Sequence, residues 1–316
     1  MALLTDAYTS PLLINTLTKE EVPVYAKSNR LKIELGRYCP NLILLDEYEA
    51  ANIIAKPDSI LYTNSDEGLF AIRELFSISK EIDVYDSLND KLGLGILMSN
   101  AFPDLGQRGI ETGGGINEEY VCDAYFDANG EPVVLGIYAH PFLNEVDFRD
   151  IVYYTSQDIM RKMLPQIEKS LSKLANQMDL KNLPLHAKFK LKEKHLNPTE
   201  VNPGSFGSFS ISDLLFFAFG INPYKQYFIG LKPDWEELLH LAGDDIFFRV
   251  LGRLRSAVQA GKKPDHELFA DTFENLVCYC KLDPERYPAF SIAFGRTDDL
   301  EHVNKYLRMN FQDYLI

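Results

Sequence analysis

The sequence predicts an α/β protein with an α+β core set behind a parallel N-terminal layer. Three observations carry that class. Strand and helix patterns alternate through about the first hundred residues. Two apolar runs flank Ala128-Asn129-Gly130, the strongest short hairpin signal. A second hairpin pattern, "PLHAKFKLK" then "NPTEVN", follows a long amphipathic stretch.

The elements follow in chain order. "ALLT" (2–5) is a short apolar strand, and "SPLLINTLTKEE" is a helix with Ser10 as N-cap and Pro11 at its first position. "VPVYA" (22–26) and "NLILL" (41–45) read as strands, "DEYEAANIIA" as a helix and "SILYTN" as a strand. Ser65 opens a helix in "SDEGLFAIRELFSIS", then come a strand in "EIDVYD" and a helix in "SLNDKLGLGILMSN". No G-x-G-x-x-G follows the first strand, so a dinucleotide fingerprint is absent. From Pro103 the chain turns loop-like, with three glycines at 113–115. The first hairpin pairs 119–127 with 132–139, a long helix covers 156–178, and the second hairpin turns through 193–196. A helix at 212–219 stops at Gly220. The remainder, 233–316, reads as mostly helical with one strand at 289–295.

The chain carries 32 Lys and Arg against 46 Asp and Glu, a formal charge of −14. Such a surface repels phosphate backbones, so nucleic-acid binding is not expected. No apolar run approaches the roughly 18–20 residues of a membrane span, so no membrane partner is expected either. The opening residues lack a basic n-region and carry Asp6 early, so a secretory leader is not expected. The four cysteines show no C-x-x-C spacing and read as buried thiols, with Cys278 and Cys280 placed on a helix; this suits a reducing cytoplasm.

The strand faces hold the candidate chemistry. In "LHAKFKLK", Leu185, Ala187, Phe189 and Leu191 point one way, and His186, Lys188, Lys190 and Lys192 the other. Glu200 and Asn202 share a face of the partner strand, so the register sets Lys188 or Lys190 across from Glu200. Residue types alone leave two readings for that pair, a metal–phosphate site or a cross-strand ion pair. Ser212 and Asp213 read as caps of the following helix, Ser208 and Ser210 as neighbours of its N-terminus, and Glu119 and Asp123 as one face of a solvated strand edge. His186 reads as a half-buried strand residue.

The ordered motifs "LLTDAYTSPLL", "SILYTNSDEGLFAI", "FPDL", "EEYVCDAYFDANGEPVVLGIYAHPF", "LHAKF", "EVNPGSFGS" and "DLLFFAFGINPY" resemble the ATP-grasp superfamily. More narrowly, they resemble its carboxylate–amine ligase-like branch with a Rossmann-like pre-ATP-grasp domain. The resemblance covers about 3–227. It implies ATP and Mg²⁺ as cofactors, an acyl-phosphate intermediate and attack by an amine. It makes Glu200 and Asn202 the candidate metal ligands, and places Lys188, Glu119, Asp123 and Ser205 on the nucleotide side.

Four departures from the pattern are visible. Lys188 stands where the family has a metal-side acid, and an ammonium cannot ligate Mg²⁺. Gly204 and Ser205 stand where an arginine is usual, and Thr112–Gly115 where a ribose-binding carboxylate is usual. The connection 106–116 is too short for the lid subdomain. The expectation is therefore three parts: a Rossmann-like pre-ATP-grasp domain over 1–100, a lid-less ATP-grasp core over 101–232 and a mostly helical extension over 233–316. The expected function is that of a degenerate, weak or inactive, cytoplasmic relative acting as a binding or regulatory protein. A small-molecule carboxylate or nucleotide, a second copy, or an intact homologue is the expected partner. The alternatives are an active ATP- and Mg²⁺-dependent carboxylate–amine ligase, and a small-molecule binder. The binder would use the cleft beyond the parallel strands, lined by Tyr8, Thr9, Ser10, Thr63, Asn64 and Ser65.

Overall fold

The computed structural model describes residues 1–44, 60–65, 67–69, 71, 117–143, 150–178, 180–192, 195–254 and 262–316. The helices expected at 46–55 and 87–100, the strand at 81–86 and the connection 106–116 lie outside those residues.

The N-terminal strands β1 (Ala2–Leu4), β2 (Val24–Ala26), β3 (Leu42–Leu44) and β4 (Tyr62–Thr63) form a parallel sheet in the order β3-β2-β1-β4. Helix α1 (Pro11–Lys19) starts as its sequence dictates. The Ser10 hydroxyl accepts from the Leu12 and Leu13 amides, and Pro11 sits where no amide donor is needed. Helix α2 (Asn29–Leu35) is an addition to the expected elements. Its signals are Ser28, which caps Leu31 N, and Gly36 at the other end. Strand order reverses beside β1, which opens a crevice at the carboxyl ends of β1 and β4.

The second sheet is antiparallel throughout and has eight strands in the order β11-β12-β10-β7-β6-β5-β8-β9. Its centre is the hairpin of β5 (Asn117–Phe126) and β6 (Pro132–Phe142). Gly130 takes φ +83°, and the Asp127 carboxylate accepts from the Asn129 and Glu131 amides, so the Asn-Gly signal is realised by its ordinary turn chemistry. The strand β7 (Val152–Thr155) precedes α3 (Gln157–Met178), whose start is capped by Ser156. Met160, Met163, Ile167, Leu171 and Leu174 recur at helical spacing along its buried face. That face covers the side of the sheet carrying Tyr120, Cys122, Ala187 and Phe189, all buried. The strands β8 (Leu183–Lys192) and β9 (His195–Pro203) form the second hairpin, with β9 resuming already at His195.

The C-terminal part corrects the expectation of a mostly helical extension. Three strands, β10 (Ile246–Arg253), β11 (Leu276–Lys281) and β12 (Ala289–Thr297), continue the eight-stranded sheet. The reason is compositional: "IFFRVLGR", "LVCYCK" and "AFSIAFGRT" are rich in aromatic and β-branched residues that fit a pleated, half-buried surface. The other face of the sheet carries the polar residues, and α4 (Leu214–Phe219) packs on it beside β7 and β10.

Several bonds couple the two sheets. Thr63 N donates to Gly204 O at 2.9 Å, and Asn222 Nδ2 donates to Thr16 Oγ1 at 2.8 Å. The Tyr227 hydroxyl donates to Leu61 O at 2.7 Å. Around these bonds Tyr62, Phe206, Tyr224, Tyr227 and Phe228 pack edge-on and tilted, so the seam is an aromatic core in its own right.

Candidate functional site

Register alone brings the predicted residues together. Asp123 of β5 pairs with His186 of β8, and His186 with Asn202 of β9; one step along, Val121 pairs with Lys188, and Lys188 with Glu200. Directly opposed residues share a face, so the Glu200–Asn202 pair, the lysines and the carboxylates of β5 stand on one surface.

The inner part of that surface is a closed cluster on Asp123, which is fully buried. Its Oδ1 accepts from Gly207 N at 2.9 Å and meets His186 Nδ1 at 2.7 Å. Its Oδ2 accepts from the Ser212 hydroxyl at 2.7 Å and the Tyr138 hydroxyl at 3.0 Å. With four partners the carboxylate has no lone pair to spare for a nucleotide. It fastens the 207–212 loop to the sheet. A Cβ at Gly207 would lie 2.9 Å from Ile211 Cβ and 3.0 Å from His186 Cε1, so the loop can approach this closely only as glycine. Neither Asp123 nor Glu119 is the solvated edge residue expected from sequence, because β8 covers the side of β5 that a two-stranded hairpin would leave open.

A second carboxylate closes the crevice of the parallel sheet. Asp213 accepts from the Ser10 hydroxyl at 2.8 and 2.7 Å to its two oxygens, and from the Tyr224 hydroxyl at 3.2 Å. Burial lifts its pKa to about 6, against the lowering effect of those hydrogen bonds. Sequence placed Asp213 and Ser212 as caps. Asp213 stands at the N-cap position but makes no capping bond, and Ser212 turns to Asp123. Asp213 turns inward to accept from the Ser10 and Tyr224 hydroxyls and Ser212 turns inward to donate to Asp123, so both serve buried partners instead of the helix end. Ser210 bonds the Tyr8 hydroxyl at 3.1 Å. Phe209 and Ser210 take φ +48° and +58°, and Phe209 stacks on Tyr8 with ring centroids 5.6 Å apart. Among the described residues, the cavity between Tyr8, Ser10, Asn64, Ser208 and Ser210 is about 20 Å³, room for one water. Asn64 and Ser65 bond Thr9 and Thr5 respectively, so the expected lining residues do gather but mainly hold one another.

The outer part is an ion-pair strip running over six strands. Lys188 Nζ lies 3.0 Å from Glu200 Oε2, and Asn202 Nδ2 donates to Glu200 Oε1 at 3.0 Å. Lys190 Nζ lies 3.4 Å from Glu119 Oε1. His140 of β6 stands between Glu119 and Asp150, its ring nitrogens 3.9 and 3.8 Å from them, and stacks on Tyr153 at 4.4 Å. The Tyr153 hydroxyl donates to Asp150 at 2.8 Å. Arg249 of β10 lies over the Tyr153 ring at 5.2 Å and donates to Asp150 O and Ile151 O. Burial works against the charge of Glu200 and Glu119. The bonds from Asn202 and Lys188 outweigh it at Glu200, the proximity of His140 and Lys190 does so at Glu119, and both carboxyls stay below their usual range. The Lys188 ammonium is likewise penalised by burial yet held above its usual pKa by Glu200. Burial brings Arg249 down to about 10. Sequence reasoning missed His140, Asp150, Tyr153 and Arg249, because no motif marks them and only the register of β6, β7 and β10 assembles them. Ser205 stands half-buried in the loop beyond Gly204 and belongs to neither cluster.

The Mg²⁺ implied by the resemblance does not fit these residues. Both Glu200 oxygens are engaged, one by an amide and one by an ammonium that cancels its charge. Among the described residues no group of three His, Cys, Asp or Glu side chains converges as a metal site. Mg²⁺ sheds its water reluctantly and demands free carboxylate oxygens, which this donor set lacks. Glu200 is about half exposed, so its pairing with Lys188 is worth little. A double-mutant cycle with Lys188→Met and Glu200→Gln in urea denaturation should return a coupling of about 0.2–1 kcal/mol.

Residues 115–213 match the ATP-grasp domain family. The solved structures agree over the whole chain. The L-amino acid ligase from Bacillus licheniformis superposes with a TM-score of 0.65 at 11% identity, over 99% of this chain and 97% of that one. The N5-carboxyaminoimidazole ribonucleotide synthetase from Thermotoga maritima gives 0.65 at 10% identity, over 99% and 98%. The chain has an ATP-grasp fold. The phosphoribosylglycinamide synthetase from Anaerococcus prevotii shares the ATP-grasp fold at a TM-score of 0.57 and 11% identity, over 100% of this chain and 98% of that one. No curated protein matches the chain in sequence. Within the ATP-grasp domain match lie β5, β6, β8, β9 and with them Glu119, Asp123, Lys188, Glu200 and Asn202. Among the described residues, no helix is long and apolar enough to cross a membrane.

Proposed function

We propose that this is a degenerate ATP-grasp protein, in which an ion-pair network stands where the metal–phosphate half of the grasp would be. It works as a binding or regulatory protein rather than as a ligase. The observation that carries the reading is the Lys188–Glu200 contact at 3.0 Å, with Asn202 closing on the second Glu200 oxygen. An acyl-phosphate route needs divalent cations to gather charge on the transferring phosphoryl group. Here a cation of the protein itself takes up the acid that would hold the metal.

The rival reading is an active carboxylate–amine ligase. It draws on the retained Glu200-Val201-Asn202-Pro203 and on the ligases among the structural relatives. The two separate in an ADP-release assay with ATP, Mg²⁺ and mixed carboxylates and amines. The degenerate reading expects no turnover above the protein-free background. Mg²⁺-dependent ADP release that Glu200→Gln abolishes would overturn it. A small-molecule binder in the crevice of the parallel sheet is disfavoured. Among the described residues Asp213 and Ser210 bond into it, and the space left between them admits a single water.

A further inference from the structure

Cys278 and Cys280 sit on β11, the outermost strand of the eight-stranded sheet, opposite Phe294 and Ile292. The helix expected there would have splayed them apart. On a strand, residues two apart share one face. Both thiols are partly buried rather than sealed in the core, unlike Cys39 and Cys122. Tyr279 between them turns to the other face, so the two thiols are same-face neighbours. Their face is the one that Arg249 shares with Phe294, and Phe217 packs on Phe294 at 4.8 Å.

We propose that Cys278 and Cys280 chelate a single soft monovalent cation of the copper(I) class. Three features select that ligand over others. Thiolate sulfur prefers soft ions, which excludes Mg²⁺ and Ca²⁺. No third ligating side chain joins the pair among the described residues, whereas structural Zn²⁺ requires four ligands; a copper(I)-type ion is satisfied by two. The spacing also disfavours a disulfide. Two residues of extended strand span about 6.8 Å between Cα atoms. That is the upper limit of disulfide geometry, so a disulfide would have to pinch the strand. Two metal–sulfur bonds of about 2.3 Å allow the sulfurs to stand up to about 4.6 Å apart, a span that same-face side chains two residues apart can close by rotation about χ1 without pinching the strand. Binding breaks two S–H bonds, forms two metal–sulfur bonds and releases two protons to solvent, with no change of oxidation state. The site is separate from the Lys188–Glu200 strip and does not depend on the degenerate-ligase reading.

The test uses the full-length reduced protein, a copper(I) complex of a chromophoric chelator as competitor, and Ag(I) as a second, redox-inert probe. The protein should withdraw one equivalent of copper(I) per chain. Cys278→Ser and Cys280→Ser should each weaken uptake by about 100-fold or more, the loss expected when a chelate becomes a single-point contact. Cys39→Ser should leave it unchanged, and metal-free thermal melts of the strand variants should match wild type. Failure of wild type to compete would overturn the proposal. So would retention of copper(I) or Ag(I) by the Cys278→Ser/Cys280→Ser double variant, or closure of a Cys278–Cys280 disulfide in place of metal uptake.

Discussion

Asp123→Ala should destabilise the protein by about 3–5 kcal/mol in equilibrium urea denaturation, the largest effect of any single substitution considered. Removing this carboxylate strands an amide, two hydroxyls and a histidine at the centre of the fold. These are Gly207 N, the Ser212 and Tyr138 hydroxyls and His186 Nδ1, each of which bonds Asp123 at 2.7–3.0 Å. Buried donors left without acceptors cost about 1–3 kcal/mol apiece before relaxation. Asp123→Asn keeps the shape and one acceptor, so its cost should fall clearly below that of alanine. Equal midpoints for wild type and Asp123→Ala would mean that the loop is not held by this cluster.

Asp213→Asn should change the pH dependence of stability rather than its level alone. The native pKa of about 6 lies above the ordinary 3.8, and burial is the largest cause. The folded state therefore keeps a proton that the unfolded chain has already lost between about pH 4 and 6. Stability from this group is present in full below about pH 4 and is lost as the pH rises through about 6. The two values differ by about 2 pKa units, or about 3 kcal/mol. The variant should thus gain on wild type by up to about 3 kcal/mol between pH 4 and pH 7. Glu200, Glu119 and Asp150, held below their usual range, act with the opposite sign but are common to both proteins and cancel in the difference. Urea midpoints at pH 4, 5.5 and 7 measure it, and a difference that stays flat across them would rule out Asp213 as the group that titrates.

Much of the central hairpin pair was readable from sequence, for definite physical reasons. Alternation in "LHAKFKLK" fixed the two faces of β8 and left Lys188 or Lys190 opposite Glu200; the register of the folded hairpin selects Lys188. Asn129-Gly130 announced its turn because glycine is needed at φ +83°. The C-terminal strands were harder to read. In "LVCYCK" and "IFFRVLGR" both faces are apolar or half-buried, so the period-two signal is faint, and only pairing with β12 distinguishes strand from helix. The reading of Cys278 and Cys280 as buried helical thiols failed for that reason. Burial of Asp123 and Glu119 was hidden in the same way, since strand order, which local sequence does not encode, places β5 inside the sheet. Arg249 and His140 needed four strands to come together before they had neighbours at all.

In the proposed reading, Lys188 takes the place of the metal side of the grasp. Calorimetric titration of ATP into wild type, with Mg²⁺ and again with chelator, tests it most directly, alongside the same titrations of Lys188→Glu. Mg²⁺ should leave the wild-type isotherm unchanged, whereas in Lys188→Glu, with an acid restored beside Glu200 and Asn202, nucleotide binding should become Mg²⁺-dependent. A wild-type isotherm that tightens about tenfold or more when Mg²⁺ is added would contradict it.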